Sequence, residues 1–219
     1  MRPILLSVAL VSAAAFGAPL DDGIALYRAK RYGDARAALE RVVAADAGNA
    51  AACYYLGMTL ESGPGPKDAA EAVTWLARAV ELSPGNDSYL AEYGGASLEL
   101  ARRTRSYTAC VNGRDAMLKA IQLNPDDLDA RDGLMQFYAR APWPLGSRSR
   151  AYEQAREIRQ RDPLRGILAT LGLEMEDGRN QEAVVLCAEA LKLSPDNPVA
   201  VHDKATLALA GATRGTNAK

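Results

Sequence analysis

One interval recurs along this chain more strictly than any other feature. Four segments, LARAVELSPGN, LKAIQLNPDD, AREIRQRDPLR and AEALKLSPDN, each run as an amphipathic stretch into a short polar residue and then proline. Proline lacks the N–H of the next turn and clashes with the turn before it, so each marks the end of a helix. Twelve residues before Pro84, Pro125, Pro163 and Pro195 stand Ala72, Gly113, Ala151 and Ala183, all small. Four residues further on come Leu76, Met117, Ala155 and Cys187, so a small residue and usually an apolar one share a helix face. An earlier copy carries Ala35 and Leu39, with Ala47 at the proline place. A chain with this period buries its apolar faces repeat against repeat.

A second helical signal lies upstream of each small residue. LGMTL carries Leu56, Gly57 and Leu60; YGGAS carries Tyr93 and Gly94; LMQFY carries Leu134 and Tyr138; LGLEM carries Leu171, Gly172 and Met175. Glycine and alanine let two antiparallel helices approach closely, while larger apolar residues fill the gaps between repeats. From about Leu20 to Val201 the sequence resembles the tetratricopeptide-repeat family, W-x2-L-G-x2-Y…A-x3-F…P over about 34 residues. The resemblance implies an all-α, right-handed superhelical solenoid of about five helix pairs, at about 18–49, 50–86, 87–127, 128–165 and 166–197. The segment PVAVHDKATLALAG then supplies a capping helix at 198–210, with Pro198 near its start and Gly211 at its end, and the remainder, 211–219, reads as a disordered tail. The pattern is incomplete in places. Cys53, Leu90, Arg131 and Leu168 stand where the family has tryptophan; repeat one shows Asp22 and Gly23 for the Leu-Gly pair, and repeat four has Met135 for glycine.

Spacing within the repeats varies where the proline interval does not. It is 12 residues from Gly23 to Ala35, 15 from Gly57 to Ala72, 19 from Gly94 to Gly113, 16 from Met135 to Ala151 and 11 from Gly172 to Ala183. Extra residues therefore fall between the two helices of a repeat, in SGPGPKD, ARRTRSY and RAPWPLGSRS, and insertions at one place in a repeat are expected to project from one edge.

Residues 1–17 read as a cleavable signal peptide: MRP is a short positive start, ILLSVALVSAAAF a thirteen-residue apolar run, and small residues allow cleavage near Ala15 to Ala18. Thirteen residues are too few to span a bilayer, which needs about 20, and no lipid-accepting cysteine ends the run. A periplasmic or secreted protein, with no membrane insertion after cleavage, is the expectation. A formal charge of -1 supplies no global field for nucleic acid. The three cysteines, Cys53, Cys110 and Cys187, form no C-x-x-C pair and read as small apolar packing residues.

The groupings that carry catalysis are missing from the sequence. His202, the sole histidine, has no serine or cysteine beside it at helical spacing. There is no H-E-x-x-H, phosphate-cradling glycine loop or clustered metal-ligand pattern, and GPG at 63–65 reads as a turn. The carboxylates are scattered over helix faces and caps. We expect no cofactor, no metal and a non-catalytic protein.

Resemblance to tetratricopeptide-repeat proteins implies a groove, lined by first helices, for a peptide or partner protein; that lining maps onto Tyr27, Arg28, Tyr54, Met58, Glu61, Gln136 and Arg140. Any uneven helical surface also shows such residues. A second candidate surface is a basic edge of Arg102, Arg103, Arg105, Arg148 and Arg150 with Trp143, facing an acidic partner. The same arginines also fit a role beside helix C-termini with their stems over apolar surface, and Trp143 a role pinning its loop. Resemblance to small exported bacterial repeat proteins points to an adaptor of the cell envelope. An accessory or regulatory subunit of an envelope enzyme, and an enzyme on a repeat scaffold, stay open as alternatives.

Overall fold

The computed structural model describes residues 19–62 and 66–216. The signal segment and the GPG turn lie outside them. Among the described residues there are eleven helices and no strand. The chain divides between Leu82 and Ser83 into two compact units. The first holds α1 (Pro19–Arg28), α2 (Tyr32–Ala45), α3 (Ala50–Glu61) and α4 (Pro66–Leu82); the second holds α5 (Asp87–Thr104), α6 (Tyr107–Leu123), α7 (Leu128–Arg140), α8 (Arg148–Arg161), α9 (Pro163–Glu176), α10 (Asn180–Leu193) and α11 (Pro198–Thr216).

The polar residues around the prolines are helix caps. Asn49, Asn86, Asp127 and Asn197 each accept, through the side chain, the backbone N–H three residues on, at 2.9 to 3.1 Å. Such a cap contributes about 0.5–2 kcal/mol by satisfying one of the amides a helix start leaves unpaired. Pro163 departs from this use. Asp162 is at once the C-cap of α8 and the N-cap of α9, and Pro163 is the first residue of α9, so the fifth pair begins three residues before the expected 166. Proline is suited to that place, where no N–H is needed.

In unit 1, α1 pairs with α2 and α3 with α4. A Cβ on Gly23 would stand 2.7 Å from Leu39 Cδ2, and one on Gly57 2.6 Å from Leu76 Cγ. These glycines are what lets each first helix reach its partner. The same holds for Gly94 in unit 2, where a Cβ would come 2.7 Å from Met117 Cγ and 3.1 Å from the Gly113 carbonyl oxygen. The fourth pair uses Met135 where glycine is usual, and the facing residue is Ala155; both are buried in one cluster with Ala151 and Leu134.

The fifth pair corrects the register expected from Gly172. A Cβ on Gly172 would meet nothing within 4 Å. The α9–α10 turn has the same hydrogen bonds as the α1–α2 turn: Arg31 N–H donates to the Leu26 carbonyl and Arg179 N–H to that of Glu174. Lys30 (φ 59°) and Gly178 (φ 71°) occupy the same left-handed position. Counting back from that shared turn puts Leu171, not Gly172, in the place of Gly23, and Leu171 is buried with Ala183 and Cys187. Twelve residues then separate Leu171 from Ala183, as they separate Gly23 from Ala35.

Arg131, at one of the places lacking tryptophan, is buried and donates to the Pro125 carbonyl at 2.9 Å and to Gln154 at 3.2 Å. α11 follows α10 in unit 2, burying Ala200 beside Ile167 and Ala190, and Leu207 beside Leu171. It does not stop at Gly211 but continues to Thr216, so 211–216 is helix rather than tail; one interior glycine costs a helix only about 1 kcal/mol. No described helix is long and apolar enough to cross a membrane.

Candidate functional site

Two of the three expected insertions can be located, and they are built differently. ARRTRSY is not a loop: Ala101–Thr104 is the last turn of α5, Arg105 and Ser106 make the connection, and α6 starts at Tyr107. The extra residues lengthen the helices, 18 in α5 and 17 in α6 against 13 in α7 and 14 in α8. At 1.5 Å per residue the α5–α6 hairpin gains roughly 5–7 Å over its neighbour. RAPWPLGSRS does form a loop. Leu145 and Gly146 N–H both donate to the Pro142 carbonyl, Ser147 N–H returns to the Tyr138 carbonyl at 2.8 Å, and the Ser147 hydroxyl caps α8. Gly146 is required there, because a Cβ would overlap the Ala141 carbonyl.

Between the long hairpin and this loop lies a cavity of about 680 Å³, wholly inside unit 2. Leu98 and Ala101 of α5, Cys110 and Met117 of α6, Phe137 of α7 and Leu145 of the loop make an apolar interior. It is roomy partly because Gly95 presents no side chain: a Cβ there would meet only Met117 Cε, at 4.0 Å. Arg102, Arg105, Tyr107, Gln136 and Arg140 line the exposed mouth. Trp143, next to Pro142 on the cavity wall, is 90% exposed, so it does not pin its loop.

Charge at the mouth is unevenly matched. Glu99 accepts from both Arg102 and Arg103 at 2.6 Å, and those hydrogen bonds hold its carboxyl down at about 2. Arg105 is the left-handed C-cap of α5 (φ 57°) and has no carboxylate partner among the described residues. Arg140 pairs with Glu176 at 3.0 Å. Arg148, at the start of α8, is committed elsewhere, reaching Glu176 at 3.0 Å, Asp177 at 2.6 Å and the Leu173 carbonyl at 2.7 Å. Burial opposes ionisation of Glu176, but hydrogen bonds from Arg148 and Arg140 outweigh it and lower its pKa; those from Arg148 and Tyr152 lower that of Asp177. Burial, with the hydrogen bond to Asp177, pushes the Tyr152 hydroxyl up to about 12. Tyr152 also meets Arg179, itself paired with Glu174. This network ties α8 to the end of α9.

The expected surfaces are thus regrouped. Gln136 and Arg140, read as groove, and Arg102 and Arg105, read as edge, line one cavity. Arg103 stays on Glu99, and Arg150 lies over the Tyr138 ring at 5.5 Å with no carboxylate partner among the described residues. Arg102 and Arg103 do sit in the last turn of α5, as the helix-terminus reading has it, whereas Arg148 and Arg150 are at a helix start. In unit 1, Tyr27 packs edge-on to Tyr55 at 5.6 Å and Tyr54 meets Tyr55 at 5.2 Å; these rings, Met58 and Glu61 are half-buried, while Arg28 is exposed. The apolar walls of the cavity went unread because Leu98, Met117 and Phe137 look like ordinary core at helical spacing. Cys110 is half-buried on that wall, and burial pushes its thiol up, so it stays protonated at neutral pH. Cys53 and Cys187 are buried and unbridged, and His202 is exposed. No group of three or more metal-ligating side chains occurs among the described residues.

The family model for the tetratricopeptide repeat matches residues 20–87. Over those residues the chain matches the tetratricopeptide repeat, and its described helices have the tetratricopeptide-repeat fold. Its tetratricopeptide fold is similar to that of TTC0263, a repeat protein of Thermus thermophilus, with a TM-score of 0.64, 22% identity and coverage of 87% of this chain and 97% of the other. A repeat protein from Parabacteroides merdae ATCC 43184 has a TM-score of 0.69 at 15% identity, over 86% of this chain and 70% of the other. YrrB, described as a repeat protein with an unusual peptide-binding site, has 0.62 at 17%, over 85% and 90%. No curated protein matches the sequence.

Proposed function

We propose that this chain is a non-catalytic scaffold that holds a segment of a partner protein in the cell envelope. The observation that carries the reading is the apolar cavity with its arginine-lined mouth between the α5–α6 hairpin and the Ala141–Ser147 loop. An open apolar recess rimmed by a few polar groups is the ordinary form of a binding site. The solved repeat protein with a peptide-binding site that shares this fold supports a polypeptide as the occupant. The envelope location rests on the signal-like residues 1–17 and on the resemblance to small exported bacterial repeat proteins.

Gly95→Leu tests the site, because Gly95 lines the cavity, a Cβ there meets only Met117 Cε at 4.0 Å, and leucine replaces a poor helix former. Affinity capture from envelope extract is expected to retain a partner on the wild-type chain and lose it on the variant, with the melting temperature undiminished. The same partners on both would sink the reading. Mass spectrometry of the native protein is expected to find its N-terminus just past Ala15 to Ala18. An intact Met1 would remove the export half of it.

A further inference from the structure

We infer that the occupant of this cavity is an acidic, apolar stretch of polypeptide: an aliphatic or aromatic side chain fills the interior, and a neighbouring carboxylate is held at the mouth by Arg105 and Arg102. The inference rests on the cavity being a partner site and names what it selects.

Three observations lead to it. At about 680 Å³ the recess falls inside the range of about 300–1,000 Å³ that binding pockets occupy, and its interior offers Leu98, Ala101, Met117 and Phe137 rather than polar groups. Only apolar atoms enter such a space without losing hydrogen bonds to water. At the mouth, guanidinium groups outnumber carboxylates: Glu99 serves both Arg102 and Arg103, Arg140 shares Glu176 with Arg148, and Arg105 has no carboxylate partner among the described residues. The surplus is local, since the whole chain carries a formal charge of -1. Arg105 caps α5, where exposed carbonyls favour a cation in place, so its fork is held at the mouth and free to bind a carboxylate. Finally, Tyr107 is 65% exposed at the mouth and Trp143 90% exposed beside it. Tyrosine, tryptophan and arginine are the residues on which interface energy concentrates.

Tyr107 also bears on the choice between occupants. A small amphipathic acid sealed in the recess would leave the exposed Tyr107 ring uncovered, whereas an extended chain crossing the mouth covers it. A second copy of this chain would bring the same arginine surplus against itself, and like charges disfavour that pairing.

The probe is a labelled peptide with a leucine–phenylalanine centre flanked by two aspartates on each side, followed by fluorescence anisotropy on the full chain at low salt. Its counterparts carry asparagine for aspartate, or alanine for the apolar pair. We expect the aspartate peptide to bind, the asparagine peptide to bind about tenfold more weakly, and the alanine peptide not to bind. Arg102→Gln with Arg105→Gln should remove the aspartate advantage, again about tenfold, so that the aspartate and asparagine peptides bind alike, with only the small stability loss of an exposed pair. Gly95→Leu should abolish binding of every peptide. Equal affinity for aspartate and asparagine peptides, or indifference to the arginine changes, overturns the acidic assignment; sensitivity to Gly95→Leu would then leave the scaffold reading standing. Binding indifferent to Gly95→Leu overturns both. Failure of all three peptides overturns the inference, in favour of a small acid if dodecanoate binds, or of a second copy if sedimentation shows a dimer that Gly95→Leu dissolves.

Discussion

In α1–α2, α3–α4 and α5–α6 the first helix contributes glycine and the second a large side chain: Gly23 faces Leu39, Gly57 faces Leu76 and Gly94 faces Met117. In α7–α8 and α9–α10 the assignment is exchanged, with Met135 and Leu171 on the first helix and Ala155 and Cys187 on the second. Both arrangements fill the same space between two close helices. The requirement at this position is therefore a summed volume, to which either helix can contribute the larger part, because interiors are packed too densely for both to be large or both small. The cavity lies where the two arrangements adjoin. Met117 of the third pair and Gly133 and Phe137 of the fourth share its wall, and the Met117 methyl fills the space that a Cβ on Gly133 would take.

The largest expected effect comes from forcing both helices to be large. Gly57→Leu places a side chain 2.6 Å from Leu76 Cγ and 3.1 Å from the Ala72 carbonyl oxygen, and should cost about 3 kcal/mol or more. Leu76→Ala should cost about 2–5 kcal/mol. The double variant, which turns the second pair into the exchanged kind, should recover about 1–3 kcal/mol relative to the sum of the two. Additive losses in urea denaturation would break the volume-exchange account.

Next in size is the clamp of the fourth pair. Arg148→Gln strips donors from Glu176, Asp177 and the Leu173 carbonyl, and should cost about 1–3 kcal/mol. Arg102→Gln, at a pair open to solvent, should cost well under about 1 kcal/mol. Equal costs would show that the network is no more than a set of surface pairs.

Smaller still are two gains that test the register of the fifth pair against the first. Gly172→Ala should stabilise by about 0.5–1 kcal/mol, since nothing stands where its Cβ would go and alanine is the better helix former. Lys30→Gly should stabilise by about 1 kcal/mol by relieving a left-handed residue at the place Gly178 holds in the fifth pair. A loss at Gly172 in thermal melts would restore it to the packed position.

The smallest effect concerns the cavity mouth. The folded pKa of Glu99, about 2, lies below its ordinary value, so its charge stabilises the fold above about pH 4.3 and that contribution is lost as the pH falls through about 2. The melting-temperature gap between the wild-type chain and Glu99→Gln should be open at pH 7 and closed near pH 2. A gap independent of pH would mean that Glu99 acts by packing rather than by pairing.

Much of this was legible beforehand. The order of the pairs, the prolines that follow their second helices, and the small residues at Gly23, Gly57 and Gly94 all follow from local signals. The misplaced Gly172 shows where such reading stops. A Leu-Gly pair matches the family letters, but the turn geometry around Gly178 puts Leu171 against Cys187. ARRTRSY failed similarly, since residues added between two helices can extend the helices as readily as form a loop. The candidate site was half visible: its arginines and Gln136 were singled out, but as parts of two surfaces.

The sequence by itself determined that this chain pairs helices and in what order. Caps, prolines and small residues act over a few positions, so their effect can be read in line. Only the tertiary structure decided which residue of the fifth pair carries the bulk and that a recess opens between the third pair and the fourth. That recess exists because the α5–α6 hairpin outgrows its neighbour while the Ala141–Ser147 loop folds back over the difference. A mismatch in length between adjoining pairs belongs to neither segment alone.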